Sequence, residues 1–417
     1  MSLCKRCLLP VALGVFTACS AGAEDLNWTG WLGPERNGSV AGFEVPQAWS
    51  KEIQKSWTVQ AGTGYGTPIV VDDRVFQHGR LAGKEVVSCF NLRDGKRLWQ
   101  EGEEVAFKMG GGADFHGKGP KSSPVYADGR LFTLSITGVL TARDGKTGKQ
   151  LWRRDYREEF QQNHPYWGVS TSPIVDGKQL VVHLGNDDSG ALIGFDTATG
   201  KEIWRHGKEG TSYSSPLVVE IDGVRQIVQW THEDVIGVES QTGKLLWSFH
   251  FPHRGNNQNM PTPVYHRGHL LVGGENRGIK NIQIVKTNEN AWKAVEVWHQ
   301  EEVALDMSTA VINDEHLYGM SHYKLGRLFC LDPESGKVHW QTRGREGDNV
   351  AFLTIPGHVL ALNDKGTLKV LRADPAKYEE IISYEVADSP TWAPPVLLAD
   401  GFLIKGHDTL TRWVFKP

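Results

Sequence analysis

Cysteine is scarce in this chain, and long apolar runs are scarcer. Five Cys occur in 417 residues, and Cys4, Cys7 and Cys19 crowd into the first twenty positions. A disulfide scaffold is excluded by that count, and beyond those first twenty positions only the distant Cys89 and Cys330 remain, too few for a four-ligand zinc site of the C-x-x-C type. Beyond the N-terminus nothing approaches the roughly 18 uninterrupted apolar residues of a membrane-spanning helix. Charge of one sign is also missing: Lys and Arg total 45 against 49 Asp and Glu, with no long run of either. No generally basic nucleic-acid surface follows from such a balance, so nucleic acid is not an expected partner. There is no H-E-x-x-H segment, nucleophile elbow or general acid–base pair to support a hydrolase.

What is present begins with an address. Lys5 and Arg6 precede an apolar stretch from Cys7 to Ala18, and Ala21-Gly22-Ala23 follows. A basic head, about a dozen apolar residues and an A-x-A site describe a secretory signal peptide over residues 1–23. The chain is expected to be exported, to the periplasm or cell envelope. Phe16-Thr17-Ala18-Cys19 offers a second reading, a lipobox with a lipid anchor at Cys19. Cleavage after Ala23 leaves only Cys89 and Cys330.

Residues 24–417 are read as one domain, because they carry a repeat. Asp94-Gly95-Lys96, Thr147-Gly148-Lys149, Thr199-Gly200-Lys201, Thr242-Gly243-Lys244 and Ser335-Gly336-Lys337 are each followed by a Trp four residues after the Gly. Those are Trp99, Trp152, Trp204, Trp247 and Trp340. Six residues before each Gly stands a small side chain: Cys89, Ala142, Gly194, Gly237 or Cys330. The two Cys hold equivalent places in different repeats, so two buried free thiols are expected. First-hairpin turns such as Asp128-Gly129, Asp176-Gly177 and Asp222-Gly223 divide the chain into eight units of four short strands. The eighth unit is one strand short, and residues 55–59 around Trp57 can supply it by pairing with 411–415. The expected fold is all-β, an eight-bladed β-propeller of four-stranded antiparallel blades, closed by the N-terminal strand in the C-terminal blade.

The unit small-x-D-x-x-T-G-K-x-x-W, preceded by S-x-P-V and D-G, resembles the repeat of the pyrroloquinoline-quinone (PQQ) propeller superfamily. The opening Trp31-Leu32-Gly33-Pro34-Glu35-Arg36-Asn37-Gly38 is similar to the start of secreted bacterial PQQ-like repeat proteins. That resemblance covers nearly the whole chain after residue 28. It implies either a non-enzymatic envelope propeller, like the BamB-like lipoproteins of outer-membrane assembly, or a PQQ- and Ca²⁺-dependent dehydrogenase. Two departures weigh against the dehydrogenase: no adjacent Cys pair exists, and little chain remains to build over the channel mouth.

The segments entering each inner strand should converge on the central channel. They bring Tyr65, His116, Trp167, Tyr213, Asn257, Asn259, Asn349 and Trp392, candidates to bind a planar ligand or a protein segment on one face of the ring. Asp306, Asn257 and Asn349 are the candidate oxygen ligands for Ca²⁺, and Asp306 is the one candidate catalytic carboxylate. Gly112 to Lys118 mimics a phosphate loop, but Gly119 and a following strand remove its Mg²⁺ hydroxyl and its helix. His250 and His253 flank Pro252, which precludes a regular helical ligand pair.

Overall fold

The computed structural model describes residues 27–108, 116–160, 165–254, 259–288 and 291–416. The expected export segment with Cys19, the candidate Asn257 and the greater part of the phosphate-loop mimic lie outside the described residues. Eight four-stranded antiparallel sheets follow one another along the chain. They are blades 1 (69–104), 2 (125–154), 3 (174–206), 4 (217–250), 5 (264–300), 6 (311–341), 7 (350–385) and 8 (396–415 with 53–60). Strand Ile53–Gln60 pairs with Thr409–Phe415, with Trp57 opposite Arg412 and Thr58 opposite Thr411. The ring therefore closes as expected, and no blade is left with three strands.

The repeated Trp and Gly have a shared physical reason. Five Trp of fourth strands lie under the turn glycine of the next blade. Gly95, Gly148, Gly200, Gly243 and Gly336 have φ between +67° and +74° or +78°, and they face Trp57, Trp99, Trp152, Trp204 and Trp298. A Cβ at any of them would come within 2.9 Å of the indole. Glycine is needed twice over, for the left-handed turn and for the close approach. Most indoles also donate across the blade boundary: Trp57 Nε1 to Leu92 O at 2.9 Å, Trp152 Nε1 to Thr197 O at 3.0 Å and Trp298 Nε1 to Glu334 O at 2.9 Å. Trp204 and Trp247 donate instead to Gln179 and Gln226 of their own blades, each at 2.8 Å.

The small residue six before the turn Gly is the cross-strand partner of that unit's Trp. Cys89 faces Trp99, Ala142 faces Trp152, Gly194 faces Trp204, Gly237 faces Trp247 and Cys330 faces Trp340. At Gly194 a Cβ would sit 2.5 Å from the Trp204 ring, so bulk there would lift the indole off its seat. Cys89 and Cys330 are thus small buried side chains, and both thiols are free. The acid or amide four before the Gly ties the turn: Asp144 Oδ1 accepts from Thr147 N at 2.8 Å and from Thr147 Oγ1 at 2.7 Å.

A girdle of hydroxyls links the inner strands. The backbone N–H of Thr67 donates to Ser123 Oγ, Ser123 to Ser172 Oγ, Ser172 to Ser215 Oγ, Ser215 to Thr262 Oγ1 and Thr262 to Thr309 Oγ1. The distances run from 2.9 to 3.1 Å. In these five entries the Ser or Thr directly before the inner strand's Pro or Ala therefore bonds the preceding blade. It satisfies an N–H that would otherwise be buried without a partner.

Candidate functional site

Meander topology decides what can meet. In every blade the entry to the inner strand and the loop between the second and third strands lie on one face. The D-G and T-G-K turns lie on the other. The first face holds a cavity of about 960 Å³ lined from all eight blades. Tyr65, His116, Trp167, Tyr213, Asn349 and Trp392 all line it, so the expected convergence is present for these six. Asn259 sits just behind the wall, donating through Nδ2 to Thr231 O at 2.9 Å and accepting from Arg277 Nη2 at 2.6 Å.

His116 is the hub of the aromatic part. Its ring lies 5.2 Å from those of Trp167 and Trp392, both edge-on, and 6.3 Å from Tyr65. Tyr65 in turn sits 5.6 Å from Trp392. Burial, with Lys121 nearby, pulls the His116 pKa down to about 4, so the imidazole is neutral at pH 7. Burial likewise lowers Lys121 to about 8. The Trp167 peptide is held from both sides, its carbonyl accepting from Lys121 Nζ at 2.6 Å and its N–H donating to Tyr213 Oη at 3.0 Å. Burial raises the phenols of Tyr65 and Tyr213, so both stay protonated.

The opposite wall is polar and was not legible in the repeats. Glu275, Asn276 and Arg277 come from the second-to-third-strand loop of blade 5, and His322 and Tyr323 from that of blade 6. Loop lengths there follow no period, so only a basic residue next to a glycine could have drawn attention. Arg277 lies over Phe251 at 4.5 Å and Trp230 at 5.4 Å, and burial lowers it to about 10.

Asp306 is fully buried and lies outside the cavity lining. Its Oδ1 accepts from Asn276 N at 2.7 Å and its Oδ2 from Tyr323 N at 3.1 Å. The carboxylate thus fastens the two polar loops to each other. Burial raises its pKa, and the two N–H bonds oppose that rise. Asn349 Oδ1 accepts from Ser308 Oγ at 2.8 Å, and Asp348 pairs with Arg345. The side-chain oxygens of Asp306 and Asn349 thus each accept a hydrogen bond from within the wall.

Residues 27–50 cross the other face of the ring as a strap. Trp28 bridges Val70 in blade 1, and Thr29 O accepts from Tyr126 N at 2.8 Å in blade 2. Arg36 reaches into the channel, where Nη1 donates to Pro173 O at 2.7 Å and Nη2 to Ser172 O at 3.0 Å and Pro216 O at 3.3 Å. Gly38 O accepts from Thr354 N at 2.7 Å in blade 7. Trp31, with the Arg36 guanidinium 5.8 Å from its ring centre, lines the cavity from below. The W-x-G-P-x-R-N-G segment is therefore the floor.

Fold and cavity together define a closed eight-bladed propeller with a central pocket floored by the N-terminal strap. The family described as outer membrane protein assembly factor BamB matches residues 83–342, and the chain belongs to that family. It is 26% identical over 359 residues to a 1-butanol dehydrogenase (cytochrome c) of Thauera butanivorans, covering 76% of this chain and 48% of that protein. The chain thus spans about half the length of that relative. A solved structure of BamB from Moraxella catarrhalis superposes with a TM-score of 0.62 at 14% identity, covering 88% of this chain and 98% of that one. The quinohemoprotein alcohol dehydrogenase of Comamonas testosteroni gives 0.67 at 13% identity, covering 94% and 80%. Both structures share the fold.

Proposed function

We propose that this chain is an exported, non-enzymatic binding propeller of the cell envelope, taking a protein segment or small ligand into the open-face cavity. One observation carries the reading: the pocket is floored, aromatic and basic, while the carboxylates at or behind its wall are already engaged. Asp306 holds two loops, Asp348 holds Arg345, and Glu275 bonds the Tyr323 hydroxyl. A carboxylate base or a hard Ca²⁺ ligand set needs an unengaged carboxylate aimed into the cavity. Ring faces and edges with Lys121 and Arg254 suit a ligand with an apolar or aromatic body and an anionic end. The likeness to assembly factors favours a protein partner. The export signal favours an envelope site, with or without lipid at Cys19.

The dehydrogenase relatives supply the alternative, PQQ with Ca²⁺ at the channel mouth. The test is dye-linked oxidation of alcohols and sugars by the purified chain after PQQ and Ca²⁺ are added. No turnover above the protein-free blank is expected. Robust turnover that disappears in Asp306→Asn would replace the binding reading with the alternative.

A further inference from the structure

A second cluster lies on the same face, between blades 3 and 4. His232 and Glu233 sit in the loop between the second and third strands of blade 4, and His253 in the link leaving that blade. Their ligand atoms all lie within 4.8 Å of one another. The two imidazoles are stacked at 3.5 Å, 7° from parallel, and His253 Nδ1 is 3.6 Å from Glu233 Oε1. We propose that His232, His253 and Glu233 form a binding site for a divalent transition metal of the Zn²⁺ type.

Three features of the geometry carry this. The donor set is two imidazoles and a carboxylate, which suits Zn²⁺ and its neighbours and is poor for Ca²⁺ or Mg²⁺. The cluster opens into a concavity of about 600 Å³ whose other walls include Asp187, Asp188, Glu209 and Lys208. Four carboxylates against one ammonium favour a cation there. The third feature is freedom to close. His253 Nδ1 lies 3.3 Å from His232 O, which leaves Nε2 of that ring as its ligand atom, and the broad χ2 of histidine lets the stacked rings splay onto one ion. A fourth position remains for water.

His250, nearer in sequence, takes no part, since its Nδ1 is 2.9 Å from Asp234 Oδ1. The site is tied to the main cavity. Thr231 O and His232 O accept from Asn259 Nδ2, whose Oδ1 accepts from Arg277 in the cavity wall. His253 is followed directly by Arg254, another lining residue. An ion holding His232 to His253 fastens the loop and the link that carry this wall.

The test is calorimetric titration of the purified full chain, free of any affinity tag, with ZnCl₂, alongside thermal melting with and without the metal. One equivalent should bind, raise the melting temperature and resist millimolar Ca²⁺. The double variant H232A/H253A should bind at least about tenfold more weakly and lose the thermal shift, while H250A keeps both. The melting temperature of metal-free H232A/H253A shows whether that variant is folded. Should it be unfolded, E233Q serves in its place, with the same weakening expected. Absence of Zn²⁺ binding by the wild-type chain, or equal binding by a folded variant, overturns the proposal.

Discussion

Removing residues 27–60 is expected to abolish cooperative folding. The deletion takes away the fourth strand of blade 8, which pairs along its length from Ile53 opposite Phe415 to Gln60 opposite Thr409. It removes Trp57, whose ring seats Gly95 and whose indole donates to Leu92 O. It also strips the floor, including buried Trp28, Leu32, Val40 and Phe43. Four large apolar side chains alone stabilise by roughly 1.5–3 kcal/mol each, and the whole domain has only about 5–15 kcal/mol in hand. Circular dichroism of the truncated chain during heating should show no sharp transition. An unchanged melting temperature would mean that the N-terminal segment is a loose arm and that the ring closes without it.

Arg36→Met carries the second large effect. A single guanidinium donates to three carbonyls in blades 3 and 4, and burial depresses its pKa. Methionine keeps much of the apolar stem and removes every donor. Hydrogen bonds from a charged group contribute about 1.5–3 kcal/mol each, and the part-buried carbonyls left behind lose their donor. We expect a loss of about 3–5 kcal/mol in urea unfolding, with an unchanged m-value. Lysine at the same place should recover only part, because its single ammonium cannot serve three acceptors in fork geometry. A loss under about 1 kcal/mol would show that the strap rests on the ring without holding it.

The ring was legible because it is written several times over. Each Trp, turn Gly and small cross-strand partner recurs at constant spacing, so decayed units such as the one ending at Trp298 can be aligned with intact ones. The inner-strand entries are part of the same period, which is why Tyr65, His116, Trp167, Tyr213, Asn349 and Trp392 could be sent to one cavity from sequence. What the repeats do not encode stayed hidden. Arg36 and Trp31 occur once, ahead of the first unit, and nothing in their spacing says that they cross the channel. Arg277 and Tyr323 lie in loops of irregular length. His232 and His253 are 21 residues apart and meet only because a loop folds back over the link to the next blade. Asp306 shows the opposite difficulty. It stands where an inward carboxylate belongs, yet the N–H groups of Asn276 and Tyr323 draw it behind the wall.

The central claim is that the open-face cavity is the binding surface and the strapped face is not. Photo-crosslinking in cells that naturally carry the chain tests it most directly, with a benzophenone amino acid placed at Tyr65 or Trp392 in the cavity. The control is the same amino acid at Lys146, exposed on a T-G-K turn of the strapped face. Discrete adducts from positions 65 and 392, with none from 146, are the predicted result. Adducts from 146 with none from the cavity would contradict the account.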